Sequence, residues 1–443
     1  MDTHRSRAAL RSTPWIILLI IAGCACGHLS EASPAAAVPR VLSEDQALGL
    51  FYARNLELIS AAFGLETARA EKIIAAAIPN PELNLYSQEI APHYVDPRFG
   101  PAIYVTVQQL IETAGKRRLR TESSVLGAEA AESDLRDAAR TLSQGVRRAH
   151  YGLLLAQKRV EVSQSQFDHV TELVKANKAR LALGDISERD LARIQVEAAK
   201  VASELDQAGA ELEKARAQLA VLLAWPKDSE QLSAADRWPD GDAFRNHTSL
   251  DAATAAALDQ RPDLQAARLR QQQAKKDMEL AKAEAIPNVT VSAGFGHDWG
   301  NMVTNAATLS LHVPMPIFYQ NEGQIAQAGI RSNDAEVAIR RTENTTRAEV
   351  ATALAAWQAT DAVVHRLETE VIKRAEYIRD SAEYAYSQGG TDIIDLIQAQ
   401  RDFRAALFDY FQAQANRAYA YADLKMALAD DGTRVAIAPE ANP

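Results

Sequence analysis

Ala75-Ala76-Ala77-Ile78-Pro79-Asn80-Pro81-Glu82-Leu83 comes back 208 residues later as Ala283-Glu284-Ala285-Ile286-Pro287-Asn288-Val289, and that recurrence decides the fold. A second pair, Gly184-Asp185-Ile186-Ser187-Glu188-Arg189-Asp190-Leu191 and Gly389-Gly390-Thr391-Asp392-Ile393-Ile394-Asp395-Leu396, recurs at 205 residues. The 443-residue chain is thus a duplicated unit of about 200 residues. The repeat divides it into a leader 1–23, a linker 24–42, a first repeat 43–224, a Pro/Asp-rich equatorial segment 225–248, a second repeat 249–428 and a tail 429–443.

In each repeat the Ile-Pro-Asn turn stops a helix, because proline cannot continue one and pushes its predecessor toward extended geometry. Period-two sequence follows, predicting β-hairpins over 82–110 and 288–313. Leu83 and Leu85 alternate with Asn84 and Tyr86, then Ile103, Val105 and Val107 with Tyr104, Thr106 and Gln108. Val289, Val291, Ala293 and Phe295, then Leu309, Leu311 and Val313, repeat the pattern. One apolar and one polar face suits a lipid-facing barrel with a wet lumen. It also suits two soluble hairpins packed on a core. Aromatics near the segment ends (Tyr86, Tyr94, Phe99, Trp299, Phe318, Tyr319) stand where an interfacial girdle would lie. Four strands cannot close a barrel, and lipid does not tolerate an open edge. A membrane reading therefore requires several copies; two would give eight strands and three would give twelve, and the pattern does not choose.

Long helical hairpins follow, over 115–224 and 323–428. Their first arms are free of proline from 115 to 183 and from 323 to 388. At ~1.5 Å per residue each is roughly 100 Å long, several times the average helix. From Leu135, alternate steps of four and three residues reach Ala139, Leu142, Val146, Ala149, Leu153, Ala156, Val160, Ser163, Phe167, Val170, Val174, Asn177 and Leu181; twelve of the fourteen are apolar. Such a sustained 3.5-residue period predicts left-handed supercoiling with knobs-into-holes contacts. The second arm continues through Leu191, Ile194, Ala198, Val201, Leu205, Ala208, Leu212, Ala215, Leu219 and Leu222. The second repeat places Val350, Trp357, Val364, Val371, Ile378 and Ala385 seven apart, then Leu396, Ala399, Phe403, Ala406 and onward to Ala427. The descending heptads differ by 204 residues and the ascending ones by 205, which puts the one-residue difference at the tip. The expected class is mainly α with a β-barrel part.

The N-terminus reads as an export signal. His4, Arg5, Arg7 and Arg11 precede an apolar core, Trp15-Ile16-Ile17-Leu18-Leu19-Ile20-Ile21-Ala22, too short to span a bilayer as a helix. It ends on Ile21-Ala22-Gly23-Cys24, which resembles the lipobox of bacterial lipoproteins and implies a diacylated Cys24. Ala25 in second place, by the same resemblance, implies the outer membrane. Ordinary cleavage after a small residue such as Ala37 would instead discard both cysteines, Cys24 and Cys26. The body thus has no disulfide, thiolate metal site or cysteine nucleophile. The net charge of −10, near −12 without the leader, leaves no basic surplus for a nucleic-acid partner. No later stretch is long and apolar enough for a transmembrane helix.

Ile286-Pro287-Asn288, Pro314-Met315-Pro316-Ile317-Phe318 and Asn321-Glu322-Gly323-Gln324-Ile325, with the tip motifs ending Asp190-Leu191 and Asp395-Leu396, resemble the TolC-like outer-membrane factor family. The resemblance implies a homotrimer with a twelve-strand barrel spanning the outer membrane and a twelve-helix periplasmic tunnel. It implies docking to an inner-membrane RND-type pump through a periplasmic adaptor, and a passive conduit without catalytic residues or cofactor. Gln108-Gln109-Leu110-Ile111-Glu112-Thr113-Ala114-Gly115-Lys116-Arg117-Arg118 resembles the heavy-metal, cobalt–zinc–cadmium branch. That implies export of metal cations; the same duct could serve drugs or organic solutes. A soluble coiled-coil interaction protein is the reading from a different class.

By resemblance, Asp395 belongs to an acidic ring that constricts the periplasmic entrance. Gln398 stands where some relatives carry a second Asp, while Asp392, Asp190 and Asp185 keep the tip acidic. Asp392 follows Thr391 at a helix start, where a capping role serves as well as a gate. His93, His150, His169, His297, His312 and His365 are scattered, and Met278, Met302, Met315 and Met426 form no cluster, so no metal site is expected. Lys116–Arg120 opens a helix where positive charge opposes the dipole. Lipid headgroups or an acidic neighbour would account for it, as would a solvated face.

Overall fold

The computed structural model describes residues 41–88, 102–225, 232–239, 244, 249–298 and 305–430. The leader, Cys24, Tyr94, Phe99 and Trp299 lie outside them. β1 (Val41–Leu42) ends the linker, and the first repeat runs α1 (Glu44–Arg54), α2 (Leu56–Ala76), β2 (Glu82–Gln88), β3 (Ala102–Ile111), α3 (Lys116–Ala182) and α4 (Glu188–Leu222). After β4 (Ser233–Ala234) the second runs α5 (Leu250–Gln260), α6 (Pro262–Glu284), β5 (Val289–Asp298), β6 (Asn305–His312), α7 (Glu322–Arg366), a π turn (Leu367–Val371), α8 (Ile372–Ser387) and α9 (Ile393–Leu428). β1 pairs in parallel with β4, fastening the end of the linker, just before the first repeat, to the inter-repeat segment.

The sequence pattern predicts one helix before each hairpin, and the structure has two. Asn55 ends α1 and caps α2, accepting from Leu58 N–H at 2.9 Å. Pro262 occupies the first turn of α6, where its missing N–H costs nothing, so the break falls at Arg261.

The four longer strands form one antiparallel sheet in the order β2-β3-β5-β6. Its register collects the alternation onto two faces. Leu83, Val107, Ala293 and Leu309 lie in one row, and Leu85, Val105, Phe295 and Ala307 in the next. On the other face Glu82, Gln108, Ser292 and Ser310 form a row, and the two serine hydroxyls meet at 2.6 Å. The apolar face is bare: Leu83 and Leu85 are 71% exposed and Leu309 is 81% exposed. On the polar face Tyr104 stacks on Tyr86 with ring centroids 5.0 Å apart and lies across Gly296. A Cβ at Gly296 would come within 2.3 Å of that ring, so only glycine fits beneath it.

Helices α2, α3, α6 and α7 stand side by side in that order, and each adjoins the strand it leads into or follows. The helical wall therefore repeats the order of the sheet. Both layers end on the same two sides, α2 with β2 and α7 with β6, and both ends are open. Phe63, Ile73 and Ile74 are exposed on α2, Ile330 and Val337 on α7.

All fourteen heptad positions from Leu135 to Leu181 are buried or half-buried, as are the ten from Leu191 to Leu222. In the second repeat Val350, Trp357 and Val364 are buried, but Val371 is 37% exposed and Ile378 is 55% exposed. The seam has moved by one residue, running Val364, Leu367, Ile372, Ala375, Arg379, Ala382 and Tyr386. The five-residue step from Leu367 to Ile372 is the π turn, which takes up an extra residue without losing the face. The one-residue difference between repeats is thus absorbed in the helix shaft, not at the tip.

Candidate functional site

The two hairpin tips are built alike. Gly184 (φ 82) and Gly389 (φ 72) take the left-handed conformation that ends the descending arms. Asp185 N–H then closes on Arg180 O at 2.9 Å, and Gly390 N–H on Ala385 O at 2.8 Å. Three residues beyond each glycine comes a cap. Ser187 accepts from Asp190 N–H at 3.2 Å; Asp392 accepts from Ile394 N–H at 2.8 Å and Asp395 N–H at 3.0 Å. Asp392 is therefore a helix cap.

Asp190 and Asp395 occupy matching places three residues after the caps. Ser187 Oγ donates to Asp190 at 2.6 Å, and Thr391 Oγ1 donates to Asp395 at 2.6 Å. The hydroxyl on Asp190 holds its carboxyl below the ordinary 3.8. Asp185 and Asp395 are exposed. The tips sit together because a buried cluster of Val170, Ile194, Val201, Ile393, Leu396 and Ile397 joins the two hairpins behind them.

Polar pairs fix the register of that cluster. Tyr386 Oη donates to Asn177 Oδ1 at 2.6 Å, and the Asn177 amide donates to Leu173 O at 2.9 Å. His169 and Gln400 side chains meet at 2.6 Å. A buried asparagine at a coiled-coil position costs stability and selects one register. Farther along, buried Glu197 on α4 accepts from Arg401 Nε at 2.9 Å and pairs with Arg404 at 3.6 Å. Burial alone would raise the Glu197 pKa, but the two guanidinium groups hold it below its ordinary 4.5. A groove of about 470 Å³ near the tip is lined by Arg189, Arg193, Val196, Ile394, Ile397 and Arg401.

At the opposite end of α3 the basic run has protein partners. The buried Lys116 ammonium donates to Ile286 O at 2.5 Å and Asn288 Oδ1 at 2.6 Å, tying the first repeat to the Ile-Pro-Asn turn of the second. Arg120 donates to Glu112 at 2.7 Å and to Ala75 O at 3.0 Å, beside the turn of its own repeat. That bond holds the Glu112 carboxyl below its ordinary range. Arg118 pairs with Glu122 at 2.6 Å. An acidic neighbour thus accounts for Arg120 and a carbonyl cradle for Lys116, while Arg118 holds only an exposed pair.

Among the described residues no three His, Cys, Asp or Glu groups converge as metal ligands, and no helix is long and apolar enough to cross a membrane. The Glu197 network and the Lys116 cradle escaped the sequence reading. Their partners lie about 170–200 residues away, beyond the reach of local spacing.

Residues 47–224 and 254–430, the two repeats in turn, each match the family described as Outer membrane efflux protein. The chain belongs to that family. Among its relatives is the cobalt-zinc-cadmium resistance protein CzcC of Cupriavidus metallidurans, 26% identical over 380 residues that cover 83% of this chain and 85% of the relative. Among solved structures, a membrane protein from Pseudomonas aeruginosa is similar with a TM-score of 0.73 at 20% identity, covering 87% of this chain and 93% of that one. The Campylobacter jejuni CmeC outer membrane channel gives a TM-score of 0.72 at 17% identity, covering 87% and 85%. As an outer membrane efflux protein the chain is a channel component at the outer membrane rather than an enzyme, and the soluble coiled-coil reading is set aside.

Proposed function

We propose that three copies of this chain close into a passive outer-membrane duct that exports heavy-metal cations. The carrying observation is that sheet and helical wall end on the same two sides, with an apolar edge left bare on each. A second copy that continues the sheet also continues the wall, and a rotation that closes one closes the other. Three copies give a twelve-strand barrel with the apolar face toward lipid and a tunnel beneath it. Cys24 is the lipid anchor. The groove beside Ile394 and Arg401 receives a periplasmic adaptor, which joins the duct to an inner-membrane RND-type pump.

Asp395 is the gate residue in this reading, with Asp392, Asp190 and Asp185 keeping the entrance acidic. Three copies of the exposed Asp395 carboxylate draw like charges together, which favours a bound cation at the constriction. The metal assignment rests on the likeness to the cobalt-zinc-cadmium resistance protein. A conduit needs no ligand cluster for what passes through it.

The test is cobalt, zinc and cadmium tolerance of a deletion strain carrying wild type or Asp395→Ala. The deletion should sensitise cells to these metals, and Asp395→Ala should restore export while raising single-channel conductance and reducing cation block. Unchanged metal tolerance with new sensitivity to organic compounds would transfer the duct to drugs or organic solutes. Unchanged conductance would remove Asp395 from the gate.

A further inference from the structure

Beneath the sheet lies a cavity of about 590 Å³ with an apolar floor and a cationic rim. Ile78, Pro79, Leu110 and Ile111 form the apolar part; Arg117 and Arg118 stand at the rim on the first turn of α3. By strand parity Ile111 belongs to the same face as Ile103, Val105 and Val107, with Gln109 between them folded onto Pro79 O at 2.9 Å. The cavity therefore meets the bare aliphatic face at Ile111, while Leu110 lines it from the opposite face at the strand end. Three cations, Lys116, Arg117 and Arg118, face two carboxylates, Glu112 and Glu122, so the rim keeps a positive excess. Lys116 and Arg120 are committed to Asn288 and Glu112, and Arg118 holds only an exposed pair with Glu122. Exposed pairs of that kind contribute little and exchange readily. Among the described residues Arg117 makes no hydrogen bond or ion pair with any carboxylate, although Glu112 is near enough to feel its charge. A guanidinium pair presents a fork that matches phosphate oxygens bidentately.

We infer that this cavity is a binding site for an anionic glycerophospholipid, its phosphodiester held by Arg117 and Arg118 and its acyl chains lying along Ile111, Val107 and Leu83. The inference rests on the reading that the sheet crosses the outer membrane, which places the cavity at the periplasmic leaflet. Apolar lining and paired cations together select a lipid over a free phosphate, which would leave the floor of Ile78, Leu110 and Ile111 unfilled. The site also gives a role to the basic opening of α3: the lipid anion meets the positive end of the helix, and the protein is fixed in depth at the headgroup plane.

The experiment uses the full assembled protein in nanodiscs, released into the gas phase for native mass spectrometry. Phosphatidylglycerol, phosphatidylethanolamine and phosphatidylcholine are supplied in turn. Wild type should retain phosphatidylglycerol in preference to both zwitterionic lipids, and millimolar inorganic phosphate should leave it bound. Arg117→Ala with Arg118→Ala should lower retention roughly thirtyfold, from about fivefold per arginine near a membrane surface. Arg117→Lys with Arg118→Lys should recover part of that loss, since charge survives and the fork does not.

Equal retention of all three lipids, or retention untouched by the double alanine variant, would overturn the inference. So would a cavity occupied by the Pro314–Phe318 stretch of a second copy, seen as a cross-link from Phe318→Cys to Ile78→Cys with lipid absent. Displacement by inorganic phosphate alone would reassign the rim to a free anion and also overturn it. Failure of the membrane reading looks different: the wild-type chain would then neither insert into nanodiscs nor conduct.

Discussion

Deleting Thr369 should leave the tunnel intact, although a one-residue deletion in a long helix is ordinarily destructive. Within a continuous α-helix such a deletion turns everything beyond it by about 100° and slides it by about 1.5 Å. The π turn Leu367–Val371 changes that outcome, because it already holds one residue more than an α-helical turn. Removing Thr369 shortens the step from Leu367 to Ile372 from five residues to four. The stripe Ile372, Ala375, Arg379, Ala382 and Tyr386 then still faces α9, and Tyr386 still meets Asn177. Thr369 is exposed, and its hydroxyl bonds only to His365 O in its own helix. The control is deletion of Gln164 in the uninterrupted α3, also exposed. There Phe167, Val170, Val174 and Asn177 leave the seam together. Losing the burial of Val170 costs about 1.5 kcal/mol or more, and the half-buried neighbours bring the total to roughly 3 kcal/mol or above. Thermal unfolding of the purified assembly, read by circular dichroism and by loss of the oligomer on gels, separates the two. The Thr369 deletion should stay within a few degrees of wild type while the Gln164 deletion falls well below it. Equal damage from both would refute the phase-shift reading of the π turn.

Two further predictions test other joints. Gly296→Val should block assembly of the sheet, because its Cβ would come within 2.3 Å of the Tyr104 ring, and adding Tyr104→Ala should restore membrane insertion. Glu197 sets an acid limit: its folded pKa lies below 4.5, so the tie to Arg401 and Arg404 is whole above that pH and is lost as pH falls through the lower folded value. Glu197→Gln should lower the neutral-pH melting midpoint by an amount equivalent to roughly 1–2 kcal/mol, discounted because Arg401 is over a third exposed. It should also flatten the acid limb below pH 4.5, and an unchanged limb would remove Glu197 from that role.

Periodic features were legible in the sequence because each leaves its mark within a few residues. The heptads from Leu135 and Leu191 stand on the seams they announce, and the Leu83 and Val107 alternation lies on one face as written. The spacing Gly184-x-x-Ser187-x-x-Asp190 is a complete turn-and-cap recipe, and Asp392 follows it. Phase shifts and distant pairings were not legible. Val371 and Ile378 fit a seven-residue ladder as well as any seam residue, and nothing local announces a turn that rotates them off it. The break at Pro262 has a visible cause, whereas the matching break at Asn55 depends on a cap that acts only once Leu58 is in place. Lys116 looked like a misplaced charge until the turn at Asn288, 172 residues away, supplied its acceptors. Asp395 is found where the tip motif puts it, exposed and bonded to Thr391, but a ring requires neighbouring copies that one chain does not contain.

Closure by copies is the step on which barrel, tunnel and gate all depend, and the mass of the detergent-extracted particle tests it most directly. Native mass spectrometry should find three chains, because three supply twelve strands and join every open α2–β2 side to an open α7–β6 side. A stable monomer, or a dimer of eight strands, would contradict it.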